Sequence, residues 1–498
     1  MIKPDDSTIT QHFQVEIITP THIGGASEDH WQKGIDFVSK DGKMWILDFG
    51  KLGKAIPVET LSRTLTEGQS IEKLLIGKKL ESLSLKSFDF RQDRPGDIKR
   101  HIFNGFNGKP FIPGSSLKGS ISSILLKYFS QQYNISGNSS IVKNTLGDFE
   151  NSIMRFFQFT DSHFEDTFLT STKIFNLQKN DDLTWGGGWK HGGKGTNTSF
   201  NPSDFTTIYE CLDVGKQASV SISFKKKCIE QLYLGVQQNR DIKIPPSHTA
   251  AWLTSFSFKK FNKAINDHTL SFLKKEIKFF EKYSIDENSV RLLEYLVELE
   301  QKIEKLDTSK ECILRLAAGS GFHSITGDWQ YADFINTGEH RGGKNDGKRK
   351  FKSRKLAFEK NSGGQWKFRP MGFIKLTMLS QEDIVKAENE RIAKEIFEKE
   401  EKIRIEAEAI AIAEAALLAE LEAKKPKLHL GPIIKNMEVD AEVLVSSKPS
   451  KVKIFVSGYE SKLFDMIESA QQPVGYVCRV ALVVEKGKLL RVRHLKPK

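Results

Sequence analysis

The sequence predicts an α+β protein followed by one long charged helix and a small β-barrel-like C-terminal domain. Three observations carry this. Short runs that alternate apolar and polar residues recur through the first 376 positions, interrupted by helical spacings. From Ser380 to Lys425 the composition changes abruptly to Glu, Lys, Ala and Ile. Beyond Pro426, strand-like runs return.

At 498 residues the chain has room for two to four domains. With 38% hydrophobic and 28% charged residues, its composition is that of a soluble globular protein. It holds no run of 18 apolar residues, so no transmembrane helix and no membrane partner are expected. The stretch from Met1 lacks the apolar core of a secretory signal, which makes the cytoplasm the expected location. Cys211, Cys228, Cys312 and Cys478 are scattered without a CxxC pair, so neither a zinc site nor a disulfide framework is expected, and no cofactor is implied.

In chain order, Phe13 to Ile18 reads as a half-buried strand that stops at Thr19-Pro-Thr-His-Ile-Gly-Gly25. Gly34–Val38 and Met44–Phe49 read as strands joined across Asp41-Gly42, a good hairpin signal. Ile71 to Leu83 has helical spacing. Asn107-Gly108 is a second turn and leads into Lys109-Pro-Phe-Ile-Pro-Gly-Ser-Ser-Leu-Lys-Gly119. Here Pro113 biases Ile112 to extended angles and Gly114 permits a turn. Ser115 and Ser116 are placed to cap a helix with the apolar stripe Leu117, Ile121, Ile124, Leu125 and Tyr128. A helix entrance favours anions, and Lys118 beside it is unfavourable unless an anion offsets it.

Ser130 to Ser152 reads as polar and irregular. Phe156–Asp161, Thr206–Glu210 and Ser219–Phe224 read as strands. Between them, Trp185-Gly-Gly-Gly-Trp-Lys-His-Gly-Gly-Lys-Gly-Thr196 is expected to be irregular. Gly188, Gly193 and Lys194 have P-loop spacing. Gly195, however, stands where Ser or Thr must bind magnesium, and no apolar strand precedes the segment, so an ATPase is excluded. Ala264 to Leu306 predicts an αα-hairpin divided at Asp286-Glu-Asn-Ser. A strand into a glycine loop follows at Leu314–Trp329, and a last strand at Met371–Leu376.

Net charge is +12, which favours polyanionic partners. The charge is clustered: Arg341, Lys344, Lys348, Arg349, Lys350, Lys352, Arg354 and Lys355 face one acid, Asp346. Interspersed with glycine, this pattern fits a basic loop that follows a phosphate backbone, or a solvated surface loop.

In Ser380–Lys425, Ser380 with Asp383 is a helix cap and Pro426 ends the segment, giving a helix of roughly 65 Å. Ile396, Ile403, Ile410 and Leu417 recur every seven residues, but the partner seam of Lys399, Glu406, Ala413 and Glu420 is too polar for a coiled coil. A semi-rigid spacer is expected. Glu438–Val445, Lys451–Ser457, Gly475–Val484 and Lys488–His494 read as four strands of an OB or S1-like barrel.

Taken in order, the Thr19–Gly25 loop, Phe111–Gly119, Gly319-Ser-Gly321 and Met371-Gly-Phe-Ile-Lys-Leu376 resemble the RAMP superfamily of CRISPR proteins. Within it the chain is most similar to the Csm subunit five family of type III-A effector complexes. The resemblance spans about residues 10–376. It implies two ferredoxin-like (RRM/RAMP) units with helical and loop insertions, over 1–225 and 226–376, the second with a helical insertion about 260–308. The 380–425 helix and the 430–498 domain depart from the family plan. The resemblance also implies a non-catalytic backbone subunit that binds crRNA and caps its 3′ side. Its partners would be crRNA, possibly target RNA, a neighbouring RAMP subunit and other Csm subunits. Carried onto this chain, RNA contacts fall on His22, Gly24 and Gly25; on Gly114, Ser115, Ser116, Lys118 and Gly119; on Gly319, Gly321 and His323; and on the basic cluster.

The alternative is a RAMP-type endoribonuclease that processes crRNA or cleaves target RNA. It would use His22, His101, His163 or His323 as acid–base groups, Lys118 as a charge stabiliser, or Asp36 as a cleavage acid.

Overall fold

The computed structural model describes residues 8–25, 30–90, 96–135, 140–179, 185–191, 196–238, 243–316, 354–361 and 363–497. The chain divides into two compact units, Met1–Ile384 and Val385–Lys498. Among the described residues no helix is long and apolar enough to cross a membrane, and no group of His, Cys, Asp and Glu is arranged to hold a metal ion.

The first unit is built on a five-stranded antiparallel sheet. Its strands lie in the order Glu311–Arg315, Phe373–Met378, Ile9–Ile17, Gln217–Phe224, Phe157–Phe159. Strands from both sides of residue 225 therefore share one sheet. Setting aside the edge strand Glu311–Arg315, the other four lie in the order 4-1-3-2 when numbered along the chain. The helix Gly114–Gln132 connects the first to the second of these, and the helix Phe258–Tyr283 lies on the path from the third to the fourth.

Alternation along Ile9–Ile17 buries Phe13, Val15 and Ile17. They pack with Val220, Ile222 and Phe224 against Leu117, Ile121 and Leu125 of one helix and Phe261 and Ile265 of the other. Both helices thus cover the same face. The open edge of Glu311–Arg315 is closed by a helix instead of a strand. Asn266 Nδ2 donates to Glu311 O (2.9 Å), Ile313 N–H donates to Asn266 Oδ1 (3.0 Å), and Thr269 Oγ1 donates to Ile313 O (2.7 Å). These side chains satisfy ladder groups that an exposed edge would leave free.

A second sheet centres on Phe168–Lys179, which pairs with Trp185–Lys190, Thr207–Cys211 and Arg354–Lys360. The expectation of irregular backbone is therefore corrected for Trp185–Lys190, while residues 192–195 lie outside the described residues. Trp189 sits in the core against Phe175, Phe200 and Phe368. A Cβ on Gly187 would lie 2.2 Å from Tyr283 O, so glycine there allows the end of a helix to approach a strand. The spacing in Ile71–Leu83 forms two short 3₁₀ segments, Ile71–Leu75 and Leu80–Ser82, in place of one α-helix.

The αα-hairpin is Phe258–Tyr283 with Glu287–Glu304, and Asp286 and Ser289 form a capping box between them. The Asp41-Gly42 hairpin joins Phe37–Lys40 to Lys43–Leu47, with positive φ at both turn residues (55° and 76°).

The helix Gln381–Lys424, all but its first four residues in the second unit, runs 44 residues with Ile396, Ile403, Ile410 and Leu417 exposed. Its start carries the expected Ser380–Asp383 cap, in which each side chain meets the other's backbone N–H (3.0 and 3.2 Å). The C-terminal domain is a closed barrel of five strands: Glu438–Val445, Ser450–Ile454, Leu463–Ile467, Lys488–Pro497 and Val477–Glu485. Its chain order 1-2-3-5-4, with the third and fifth strands parallel, is the OB arrangement. The five-residue strand Leu463–Ile467, too short to show a period in the sequence, completes the ring.

Candidate nucleic-acid interface

Three of the four sequence motifs, together with the strand that leads into the fourth, are joined by a closed circuit of hydrogen bonds. Gly24 bridges His101, and Ile102 N–H donates to Ile23 O (2.8 Å). His101 Nε2 meets Phe111 O (3.1 Å), where the strand leading into the Gly114 helix begins. From that helix Ser120 Oγ donates to Arg315 O (2.8 Å). Leu316 N–H donates to Gly372 O (2.7 Å), and Gly372 N–H donates to Pro20 O (2.9 Å). Phe373 N–H donates to Thr19 Oγ1 (2.9 Å), which closes the circuit. The Thr19–Gly25 loop is thus a joint between sheet and helices. Gly24, Gly25, Ser115 and Gly119 remain exposed on its surface.

The two histidines at this joint are neutral. Ile23 N–H donates to His101 Nδ1 (3.2 Å), so the His101 proton sits on Nε2 and donates to Phe111 O. His22 Nδ1–H donates to Glu210 O (2.8 Å). Burial pushes His22 down to about 4 and His101 down to about 3. Lys355 and Lys99 add to the effect at His22, while His22 and then Lys86 add to it at His101. Glu210, fully buried, is paired with Lys86 at 2.7 Å and also accepts from Thr167 Oγ1 (2.7 Å) and His101 N–H (3.1 Å). Once Lys86 neutralises Glu210, Lys99 and Lys355 leave the joint with surplus positive charge. Burial lowers Lys355 to about 8, and its ammonium bonds the Tyr209 hydroxyl.

The helix entrance differs from expectation. Ser115 and Ser116 do not cap it: Pro113 is the N-cap and Gly114 the first helical residue. Gly114 N–H donates to Asp161 Oδ1 (2.7 Å), so a carboxylate of the protein takes the place of a serine hydroxyl. A Cβ at Gly114 would lie 2.4 Å from Phe159 O, which is why glycine opens this helix. Lys118 Nζ donates to Phe157 O (3.0 Å), and burial followed by the neighbouring Lys225 lowers its pKa. Lys118 and Lys225 form a like-charged pair beside the end of the Phe157–Phe159 strand. Lys99, Lys225 and Asp161 carry no signal of their own in the sequence, because each lies far along the chain from the group it acts on.

Of the basic cluster, Arg354 belongs to the core. Its guanidinium forms a bidentate pair with Glu276 (2.8 Å for both bonds) and stacks on Phe279 at 3.2 Å. Gly319, Gly321, His323, Arg341, Lys344, Lys348, Arg349, Lys350 and Lys352 lie outside the described residues.

The sheet face opposite the helices carries His12, Gln14, Glu16, Ser219, Ser221, Lys375 and Thr377, among which the His12 imidazole is the one ring. These side chains bond one another: His12 Nδ1 to Ser221 Oγ (2.8 Å), Gln14 Nε2 to Gln217 Oε1 (3.1 Å), and Lys375 to Glu16 (2.9 Å).

The RAMP superfamily model matches residues 14–331. The chain belongs to the RAMP superfamily. No curated protein matches the sequence. Among solved structures, this RAMP chain is similar to Csm5 of T. onnurineus, with 15% identity, 72% of this chain and 99% of that chain covered, and a TM-score of 0.47. It is also similar to a chain of a Csm–crRNA–target RNA ternary complex of a type III-A CRISPR-Cas system, with 16% identity, 74% and 100% coverage and a TM-score of 0.45. A chain of the type III-B Cmr-beta complex bound to cognate target RNA has 11% identity, 46% and 50% coverage and a TM-score of 0.19. At these identities and TM-scores the likenesses assign no function.

Proposed function

We propose that this RAMP protein is a non-catalytic, crRNA-binding backbone subunit of a type III-A CRISPR effector complex. It caps the 3′ side of the guide, contributes to crRNA maturation and assembly, and acts in the cytoplasm. Its partners are crRNA, target RNA, a neighbouring RAMP subunit and other Csm subunits. The observation that carries the reading is the circuit from Thr19 to Phe373, which gathers RAMP motifs at one joint whose surplus charge is positive. Lys118 with Lys225, and Lys99 with Lys355, suit phosphates, which position RNA without reading its sequence. The polar sheet face, whose His12 ring is tied to Ser221, supports grip through loops in preference to base stacking.

The order 4-1-3-2 with two crossing helices supports a ferredoxin-like unit that takes strands from both sides of residue 225. A second such unit, sharing residues 226–376, completes the proposed plan.

The same geometry supports the non-catalytic reading over an endoribonuclease. Both His101 ring nitrogens are engaged, and His22 stays neutral near pH 7, so neither supplies a proton to a leaving group. Asp36 is held in a turn, accepting from Gln32 N–H (2.8 Å).

The test is co-purification with the products of neighbouring genes, followed by sequencing of bound RNA. Uniform short RNAs that share a repeat-derived 5′ end are expected, and the purified chain should leave labelled precursor intact with or without magnesium. Cleavage that disappears in His22→Ala or Asp36→Ala would overturn the reading.

A further inference from the structure

The C-terminal barrel has a surface that the RAMP reading does not use. Charge is partitioned sharply along the second unit. The helix Gln381–Lys424 carries thirteen acids against seven bases, whereas residues 427–498 carry thirteen Lys or Arg against seven acids. An acidic helix repels a polyanion and the barrel attracts one, so the two parts of the unit differ in the partner they suit.

The barrel's basic residues are ordered by its strands. Alternation in Ser450–Ile454 buries Ser450, Val452 and Ile454, which turns Lys451 and Lys453 outward with Phe455 just beyond. Pairing sets Lys451 opposite Asp465 and Lys453 opposite Leu463 on one side and Glu442 on the other. The parallel pairing of Met466 with Val492 and Ile467 with Arg493 brings Arg491 and Arg493 to the far side of the same face. Among the described residues, Lys451, Lys453, Lys462 and Arg491 enter no ion pair, although Asp465, Glu442 and Glu460 are near in the fold; Arg493 lies 3.8 Å from Glu468.

Aromatic rings stand among these cations. Lys453 Nζ lies 5.5 Å from the Phe455 ring centroid and Lys462 Nζ 5.3 Å from that of Tyr459. Both rings are half-buried, so each is anchored while part of it faces solvent.

We propose that the face formed by Lys451, Lys453, Phe455, Tyr459, Lys462 and Arg491 binds single-stranded nucleic acid, separately from the RAMP unit. Unpaired cations follow the phosphates, and the rings of Phe455 and Tyr459 offer stacking surfaces to bases. This combination is sequence-tolerant; Lys451 and Lys453 lie on the second strand, Phe455, Tyr459 and Lys462 on its connection to the third, and Arg491 on the fifth, next to the strand pair on which OB barrels hold oligonucleotides.

The test uses the full chain and a 12-nucleotide mixed-sequence RNA carrying 4-thiouridine, with crosslinked peptides mapped by mass spectrometry. Crosslinks are expected within 438–497, centred on Phe455 and Tyr459, and a matched RNA duplex should not compete for them. Combining Lys451→Gln, Lys453→Gln and Arg491→Gln is expected to leave thermal unfolding unchanged while the log–log salt slope of barrel crosslinking falls by about 2, at about 0.7 per lost contact. Phe455→Ala should weaken barrel crosslinking by about tenfold, the scale of one stacked base. Crosslinks confined to residues 1–384, or barrel crosslinks that persist unaltered in the triple variant, overturn the proposal. Loss of crosslinks in 1–384 with barrel crosslinks retained would instead count against the RAMP reading.

Discussion

Gly114 N–H donates to the Asp161 carboxylate at 2.7 Å, so the entrance of the first crossing helix already holds an anion supplied by the fold. The positive charge of Lys118 is then directed sideways, to Phe157 O and toward Lys225, and away from the helix end. Any RNA phosphate here is expected to meet the lysine pair and not the helix terminus.

Combined Lys118→Ala and Lys225→Ala is therefore expected to weaken RNA binding and flatten its salt dependence. Each lost phosphate contact should lower the log–log slope by about 0.7 for a single strand. Titrations of labelled crRNA at several salt concentrations read this directly, and an unchanged slope would remove the lysine pair from the interface.

Two glycines of one helix should respond in opposite directions. Gly114→Ala places a methyl 2.4 Å from Phe159 O and 2.9 Å from Thr160 O, both backbone atoms that cannot swing aside. A loss of about 1–3 kcal/mol is expected. Gly119→Ala meets nothing within 4 Å and should gain up to about 1 kcal/mol from helix propensity. Urea unfolding of the two variants side by side decides it.

Its neighbours in the sequence group Arg354 with a basic cluster suited to RNA, but its bidentate pair with Glu276 assigns it to stability. Glu276→Gln leaves a buried guanidinium without its counter-charge and should cost roughly 3–5 kcal/mol. If Arg354 instead reached RNA, Glu276→Gln would strengthen RNA binding and leave the unfolding midpoint in place.

Acid should destabilise the first unit through its buried histidines. His22, His101 and His268 are lowered to about 4, about 3 and about 3, chiefly by burial, whereas unfolded histidine titrates near 6.5. Between those values the unfolded chain binds protons that the folded chain refuses. Stability from these groups is therefore full above about pH 6.5 and is lost as pH falls toward 4 and 3, by about 1.4 kcal/mol per pH unit for each histidine. Unfolding midpoints measured from pH 7 to pH 4 should fall steeply, and His101→Asn should make the fall shallower.

Local signals were legible wherever a single segment contained both halves of the argument. The Asp41-Gly42 turn, the Ser380–Asp383 cap and the apolar stripe Leu117, Ile121, Ile124 and Leu125 all lie where periodicity and turn chemistry place them. The glycine run at Gly186–Gly188 misled because glycine weakens a strand in isolation. Here Gly187 is required by Tyr283 O, nearly a hundred residues away.

By itself the sequence determined the Phe13–Ile18 and Ser219–Phe224 strands, the αα-hairpin, the long charged helix and the clustering of positive charge, because these depend on neighbours within a few residues. Tertiary structure decided which cations remain available. Lys86 is taken by Glu210 and Arg354 by Glu276, while Lys99 and Lys225 are brought beside His22 and Lys118. Charge pairing falls off over a few ångströms in space and takes no account of distance along the chain, so only folding could sort the lysines and arginines paired in the core from those left at the surface.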